Sequence, residues 1–247
     1  MKAPNFTIDW SEVKNRITEK TKLIIINNPH NPTGTVFSEN DLFELESIVE
    51  QNKNLYLLAD EVYEHLVDST ILHQSVHKFH RLHSKSFIVS SFGKTFHNTG
   101  WKIGYIIGSK PLIDEFKKVH QFTVFSVNTP IQMALAEFMN TYNAYNTLYE
   151  RIKPMKTLTE NLFSNSNFKV LPNKSTYFQL IDYSLVSHKS DVEFTLDLVK
   201  NAGVATIPLT PFYSNQLSKN YIFRLCIAKN EEVIKEGIQS IVRYNSL

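Results

Sequence analysis

A chain of 247 residues with 42% apolar and 20% charged side chains can bury one large core or two smaller ones. Its net charge of +2 gives no pull toward nucleic acid or an anionic membrane, and no apolar run nears the length of a membrane span. The N-terminus carries no signal-like apolar segment, and the single Cys226 excludes an intrachain disulfide, which is the pattern of a cytoplasmic protein.

In chain order, Asp9 with Glu12 resembles a capping box and predicts a short helix over Trp10 to Lys20. Leu23 to Ile26 is a continuous apolar run, expected as a strand buried on both faces. It ends in NNPHNPTG (27–34), whose two prolines exclude helix and central strand. Ser38 with Asp41 caps a helix to about Asn52, with Leu42, Leu45, Ile48 and Val49 on one face. Leu55 to Ala59, Phe87 to Ser90 and Tyr105 to Ile107 follow as strands, and Pro111 opens a helix to about Phe122. This first part reads as α/β with a mostly parallel sheet.

The second part reads as α+β. A long helical region over Thr129 to Ser164 is expected to break or kink at Pro154. Phe168 to Leu171 and Ser175 to Tyr183 are strands, the latter alternating. Val192 to Asn201 is a helix stopped by Gly203, Tyr221 to Ile227 is a strand, and Asn230 caps a terminal helix. The expected division is 1–138 and 139–247.

The unusual residues gather where strands end, and in open α/β sheets ligands lie outside the carboxyl ends of strands. Only seven glycines occur, and five of them (Gly34, Gly93, Gly100, Gly104, Gly108) fall in or just after two of these segments, 27–34 and 90–105. Lys94 follows a β-forming run within SSFGKTFHNTGWKIGY (90–105). It suits an amine nucleophile or a surface lysine. A P-loop is excluded, because the glycine needed five positions before Gly93 is Ile88. Asp60 ends an apolar strand, where a carboxylate needs a cation, hydrogen-bond donors or a cap to fill on a helix over Glu61 to Leu66. Tyr63 and Asn31 suit either a structural role or hydrogen bonds to a phenolic oxygen, and Ser91 and Lys102 suit a phosphate. Arg224, within an apolar strand, needs an anion: a substrate carboxylate or a structural Asp or Glu. His73, His77, His80 and His83 have helical spacing and could bind zinc, but interspersed Lys78, Arg81 and Lys85 favour an exposed basic segment.

Together NNPHNPTG (27–34), ADEVYEH (59–65), SSFGKTFHNTGWKIGY (90–105), HQF-x-x-FSVNTP (120–130) and FRLCIAKN (223–230) resemble the class I/II aminotransferases of fold type I, which use pyridoxal phosphate. Within them the chain looks most like the methionine/kynurenine–glutamine branch. The resemblance implies a partial cofactor-binding large domain over 1–138 and a small α+β domain over 139–247. Lys94 would form a Schiff base with the cofactor and act as base and acid. Asp60 would pair with the pyridine nitrogen, Tyr63 and Asn31 with the ring oxygen, and Ser91 and Lys102 with the phosphate. Arg224, helped by Asn31, would bind the α-carboxylate. The reaction would move an amino group from a methionine, aromatic or glutamine-like amino acid to a 2-oxo acid, in a family whose full-length members are homodimers. A β-lyase of sulfur amino acids would use the same lysine. Family members run about half as long again, so the resemblance also implies an absent N-terminal portion, an uncovered apolar sheet face and half a cofactor pocket. A non-catalytic truncated or split-gene fragment that needs a partner chain is the alternative.

Overall fold

In the computed structural model the described residues are 1, 3–142, 144–214 and 220–244. They divide into two compact units, 1–30 with 35–148, and 31–34 with 149–247.

The first unit is built on a four-stranded sheet in the order β1 (Leu23–Asn27), β2 (Tyr56–Asp60), β3 (Ser86–Ser91), β4 (Gly104–Gly108). The first three strands are parallel and β4 runs antiparallel to β3. Helix α1 (Trp10–Arg16) starts at Asp9, whose side chain accepts from the Glu12 amide, and ends four residues before the expected Lys20, where Ile17 turns extended. Helix α2 (Glu39–Gln51) has a complete Ser38/Asp41 capping box and buries Leu42, Leu45, Ile48 and Val49. These four meet Leu57, Ala59 and Ile88 on one sheet face, and Leu82 of the short α3 (His80–His83) joins them. At roughly 25 cal/mol per Å² of apolar surface, this one-sided core is the main stabilising term of the unit.

The opposite face carries no buried residue at Leu23, Ile25, Tyr56, Leu58, Phe87, Val89 or Ile106. β1 is therefore not buried on both faces as expected: Ile25 is 67% exposed and Leu23 44%. An apolar run reports strand propensity, but it cannot report whether anything packs on the second side. Helix α4 (Phe92–Thr95) follows β3 directly. Helix α5 (Lys110–Thr123) touches the open face through Phe116 against Phe87, with ring centroids 6.3 Å apart. Helix α6 (Thr129–Thr141) ends at Tyr142, whose backbone is extended.

That ending moves the expected helix break. Helix α7 (Leu148–Phe163) runs through Pro154, and among the described residues the α-helical region is interrupted at extended Tyr142 and at the tighter turn Ala144–Thr147. In the second unit a sheet in the order β5 (Lys169–Val170), β6 (Phe178–Asp182), β8 (Ile222–Cys226), β7 (Ile207–Pro208) is antiparallel throughout. β7 gives no sequence signal, being two residues long. β6 does not alternate: Phe178, Gln179, Leu180 and Ile181 are all buried, and Leu171 satisfies the Gln179 carboxamide through its carbonyl. α8 (Asp191–Asp197) begins with a Ser190/Glu193 capping box and continues as a wide turn to Ala202, closed by left-handed Gly203. The terminal α9 (Glu231–Tyr244) buries Ile234, Ile238 and Ile241. The core is aromatic: Tyr183 stacks on Phe194 at 4.0 Å, and Phe168 and Phe223 close around them. Among the described residues no helix is long and apolar enough to cross a membrane.

Candidate functional site

Parallel pairing brings the carboxyl ends of β1, β2 and β3 to one edge, with Asn27 opposite Asp60 and Asp60 opposite Val89. The Asn27 side-chain amide and the Asn28 backbone N–H both donate to the Asp60 carbonyl, at 3.0 and 2.9 Å. Asp60 is half-buried on the open sheet face. Burial holds its carboxyl above the usual carboxylate range. The bond from the Val62 amide (3.1 Å) and the Lys94 cation pull it back, and Glu61 pushes it further up. Residues 61–66 form successive turns rather than the expected helix, with Glu64 N–H bonded to Glu61 C=O and Leu66 N–H to Tyr63 C=O. Asp60 therefore caps a turn, where a helix is one of the readings the sequence allows, through the bond its carboxylate accepts from the Val62 amide. Tyr63 is buried within this turn.

Lys94 is partly buried in α4. Ser91 caps that helix by accepting from the Gly93 amide at 3.1 Å, and its hydroxyl donates to the Ile103 carbonyl at 3.2 Å. Gly93 is required by contact: a Cβ there would lie 2.8 Å from the Thr99 Cα. Lys102 is exposed, in a left-handed conformation (φ 57°), next to the residue whose carbonyl takes the Ser91 hydroxyl. One edge of this unit thus brings together Asp60, Tyr63, Ser91, Lys94 and, through the chain, Lys102. Beside it is a cavity of about 600 Å³ lined in part by Ile25, Asn27, His30 and Asp60. Burial, then the N-terminal amine, lowers the His30 pKa to about 4.

Sequence reasoning missed Glu64. Its carboxylate accepts from Ser90 Oγ at 2.8 Å and from Tyr105 Oη at 2.7 Å, tying β3 to β4 beside the Lys94 turn. Burial first, with Glu64 adding to it, pushes the Tyr105 phenol up to about 12. The histidine run is not a uniformly exposed basic segment. The His73 ring lies 3.2 Å from buried Glu61, and the Nδ1 atoms of His77 and His83 are 3.2 Å apart. Among the described residues no group of three or more His, Cys, Asp and Glu side chains could hold a metal ion.

The second unit holds Asn31 and Arg224. Arg224 sits mid-strand in β8, paired with Leu180 on one side and Ile207 on the other. Its Nη1 donates to Asn31 Oδ1 at 2.7 Å, and its guanidinium lies 4.1 Å from the Phe178 ring centroid. A carboxamide oxygen and an aromatic face are thus two of the supports of this guanidinium.

A sequence model of the family "Aminotransferase class I and II" matches residues 1–241. The chain is 40% identical over 235 residues to the methionine aminotransferase of Escherichia coli, covering 95% of this chain and 60% of that protein. It is 27% identical over 252 residues to human kynurenine–oxoglutarate transaminase 1, covering 94% and 60%. In structure it matches the Escherichia coli methionine aminotransferase with a TM-score of 0.93 at 38% identity, over 98% of this chain and 63% of that one. It matches Mycobacterium tuberculosis N-succinyldiaminopimelate aminotransferase with a TM-score of 0.91 at 29% identity, over 97% and 62%. The chain spans about 60% of the length of these two curated relatives. A family match over nearly all its residues, joined to this strand-edge arrangement, means that the chain belongs to the class I and II aminotransferases.

Proposed function

We propose that the chain carries the amino-transfer chemistry of its family, with pyridoxal phosphate as cofactor and Lys94 as the residue that binds it. The observation that carries this is the placement of Asp60 at the carboxyl end of β2, opposite Val89 of β3, with Lys94 in the turn of helix that follows β3. The donor set fits the cofactor. A carboxylate held in a partly desolvated position gains from a cationic ring nitrogen, and an amine stands beside it. The glycine-lined turn of Gly93 brings a hydroxyl and a nearby ammonium within the reach of one short loop.

Pyridoxal phosphate supplies, when bound, an aldehyde carbon and a conjugated ring that spreads the charge left on an amino acid's α-carbon. Lys94 would hold it through Nζ and would move the proton at that nitrogen. Asp60 would keep the ring nitrogen protonated. Tyr63 and Asn31 would donate to the ring's hydroxyl oxygen, and Ser91 Oγ and Lys102 Nζ would hold the phosphate. Lys102 would act as a point charge, without the fork of an arginine. Arg224, with Asn31, would orient the α-carboxylate. The substrates we assign are an amino acid and a 2-oxo acid. A methionine-like donor is favoured by the 40% identity to a methionine aminotransferase. We assign 1–138 to the cofactor-binding domain and 139–247 to the small domain, and we take the homodimer of full-length members as the assembly to look for.

The test is the visible spectrum of the purified chain mixed with pyridoxal phosphate. A protein-bound absorbance band, shifted by L-methionine and absent in Lys94→Ala, is expected. Transfer to a 2-oxo acid should fall at least about 10²-fold to 10⁴-fold in that variant. A wild-type chain with no bound band would overturn the proposal.

A further inference from the structure

We propose that Lys156 is a positioning residue for the carboxylate clamp, acting on Arg224 and Asn31 through the 173–176 turn. The inference rests on the reading above that these two side chains receive the substrate carboxylate.

Lys156 occupies a core position of α7. Tyr149, Ile152, Lys156, Thr159 and Phe163 are all buried at helical spacing, and Lys156 is 5% exposed. A lysine in an apolar stripe is costly unless its ammonium is satisfied. Here Nζ donates to the carbonyls of Asn173 (3.2 Å) and Ser175 (2.9 Å) and lies over the Tyr149 ring at 5.3 Å.

The turn it grips is unusual. Thr176 is fully buried with φ 55°, a left-handed conformation that β-branched residues rarely adopt and that persists only where surroundings enforce it. Asn173 braces the same turn. Its Oδ1 accepts from the Ser175 amide at 2.8 Å and its Nδ2 donates to the Phe178 carbonyl at 2.6 Å.

Two routes lead from this turn to Arg224. In the first, Ser175 Oγ donates to the Gly34 carbonyl at 2.7 Å, and the Asn173 side chain fills the space where a Cβ on Gly34 would go. Gly34 is itself left-handed (φ 71°) and ends the 31–34 loop that carries Asn31, the acceptor of the Arg224 bond. In the second, the chain leaves Thr176 for Phe178, whose ring supports the Arg224 guanidinium. A change at Lys156 would thus be felt at both supports of the arginine, although Lys156 does not touch a substrate.

Two half-substrates separate this role from simple core stability. 4-(Methylthio)butanoate keeps the carboxylate and side chain of methionine without the amine. 3-(Methylthio)propylamine keeps the amine and side chain without the carboxylate. Binding of each to the pyridoxal-phosphate-loaded chain would be measured by calorimetry in wild type, Lys156→Met, Lys156→Arg and Arg224→Met. Lys156→Met is expected to weaken the carboxylate roughly tenfold and the amine less than about twofold, with KM for methionine raised and kcat little changed. Lys156→Arg, which keeps donors, should recover part of the loss. If Lys156→Met does not fold, Ser175→Ala should show the same split. Carboxylate binding within about twofold of wild type, or equal loss of both ligands, overturns the inference. If Arg224→Met loses the carboxylate while Lys156→Met does not, this inference alone fails. If Arg224→Met loses nothing, the clamp reading fails and takes the inference with it.

Discussion

The two units organise their sheets in opposite ways. In the first, helices cover one face and leave Leu23, Ile25 and Tyr56 exposed on the other, and the candidate cofactor residues Asp60 and Ser91 lie on that open face. In the second, β6 is buried at four consecutive positions and the aromatic rings of Tyr183, Phe194 and Phe223 close the core. The open sheet presents chemistry at a strand edge. The closed one holds a single arginine in register by packing. A half-covered sheet can place reactive groups beside solvent with little burial cost, whereas a half-buried arginine in mid-strand must be aimed by its supports.

Substitutions should separate the two designs, and the largest effect is expected in the closed core. Phe194→Ala removes a ring that is 1% exposed and should cost about 3–5 kcal/mol in chemical denaturation. A cost below about 1 kcal/mol would mean that the second unit is packed no better than the first. Next comes His30 of the first unit. Its pKa is lowered to about 4, so the unfolded chain takes up a proton near pH 6.5 and the folded chain does not. Stability should therefore fall as pH drops from about 6.5 through about 4, by roughly 2–3 kcal/mol at most. His30→Gln should flatten that slope in denaturation curves, and an unchanged slope would place the responsible group elsewhere.

Asp60 has the opposite sign and a smaller effect. A carboxyl whose folded pKa is raised binds its proton more tightly when folded, so stability is lost as pH rises through its titration. Without cofactor, Asp60→Asn should be more thermostable than wild type at pH 7, and the two should converge at acid pH. With pyridoxal phosphate present, the order should reverse. The smallest effect is expected on the open face, where Ile25→Ser should change stability by less than about 0.5 kcal/mol. A loss of 2 kcal/mol or more would show that this face is covered in solution.

The secondary structure of both units was largely legible, because the caps at Asp9 and Ser38, the loop prolines and the apolar periods act locally. Family motifs named Lys94, Asp60, Tyr63, Ser91, Lys102, Asn31 and Arg224 as residues to inspect. Some features were visible only in three dimensions. Glu64 reaches Tyr105 across 41 positions, and Asn31 reaches Arg224 across 193. Lys156 did carry a sequence signal, a cation at a core position of a helical stripe, but its partners lie 17 and 19 residues away. The helix break lies not at Pro154 but at Tyr142 and Ala144–Thr147, since a proline tolerated within one helix says nothing about where a neighbouring helix ends.

The amino-acid sequence by itself determined most of the helices and strands, the alternation of strand and helix in the first unit, and the family to which the chain belongs. These follow from short-range rules of period, capping and motif, which need no partner distant in the chain. Only the tertiary structure decided which sheet face is covered, why Asp60 resists ionisation, and that Arg224 rests on Asn31 and Phe178. Each of these depends on which surface meets which, and burial and electrostatic environment come into being only when distant segments pack.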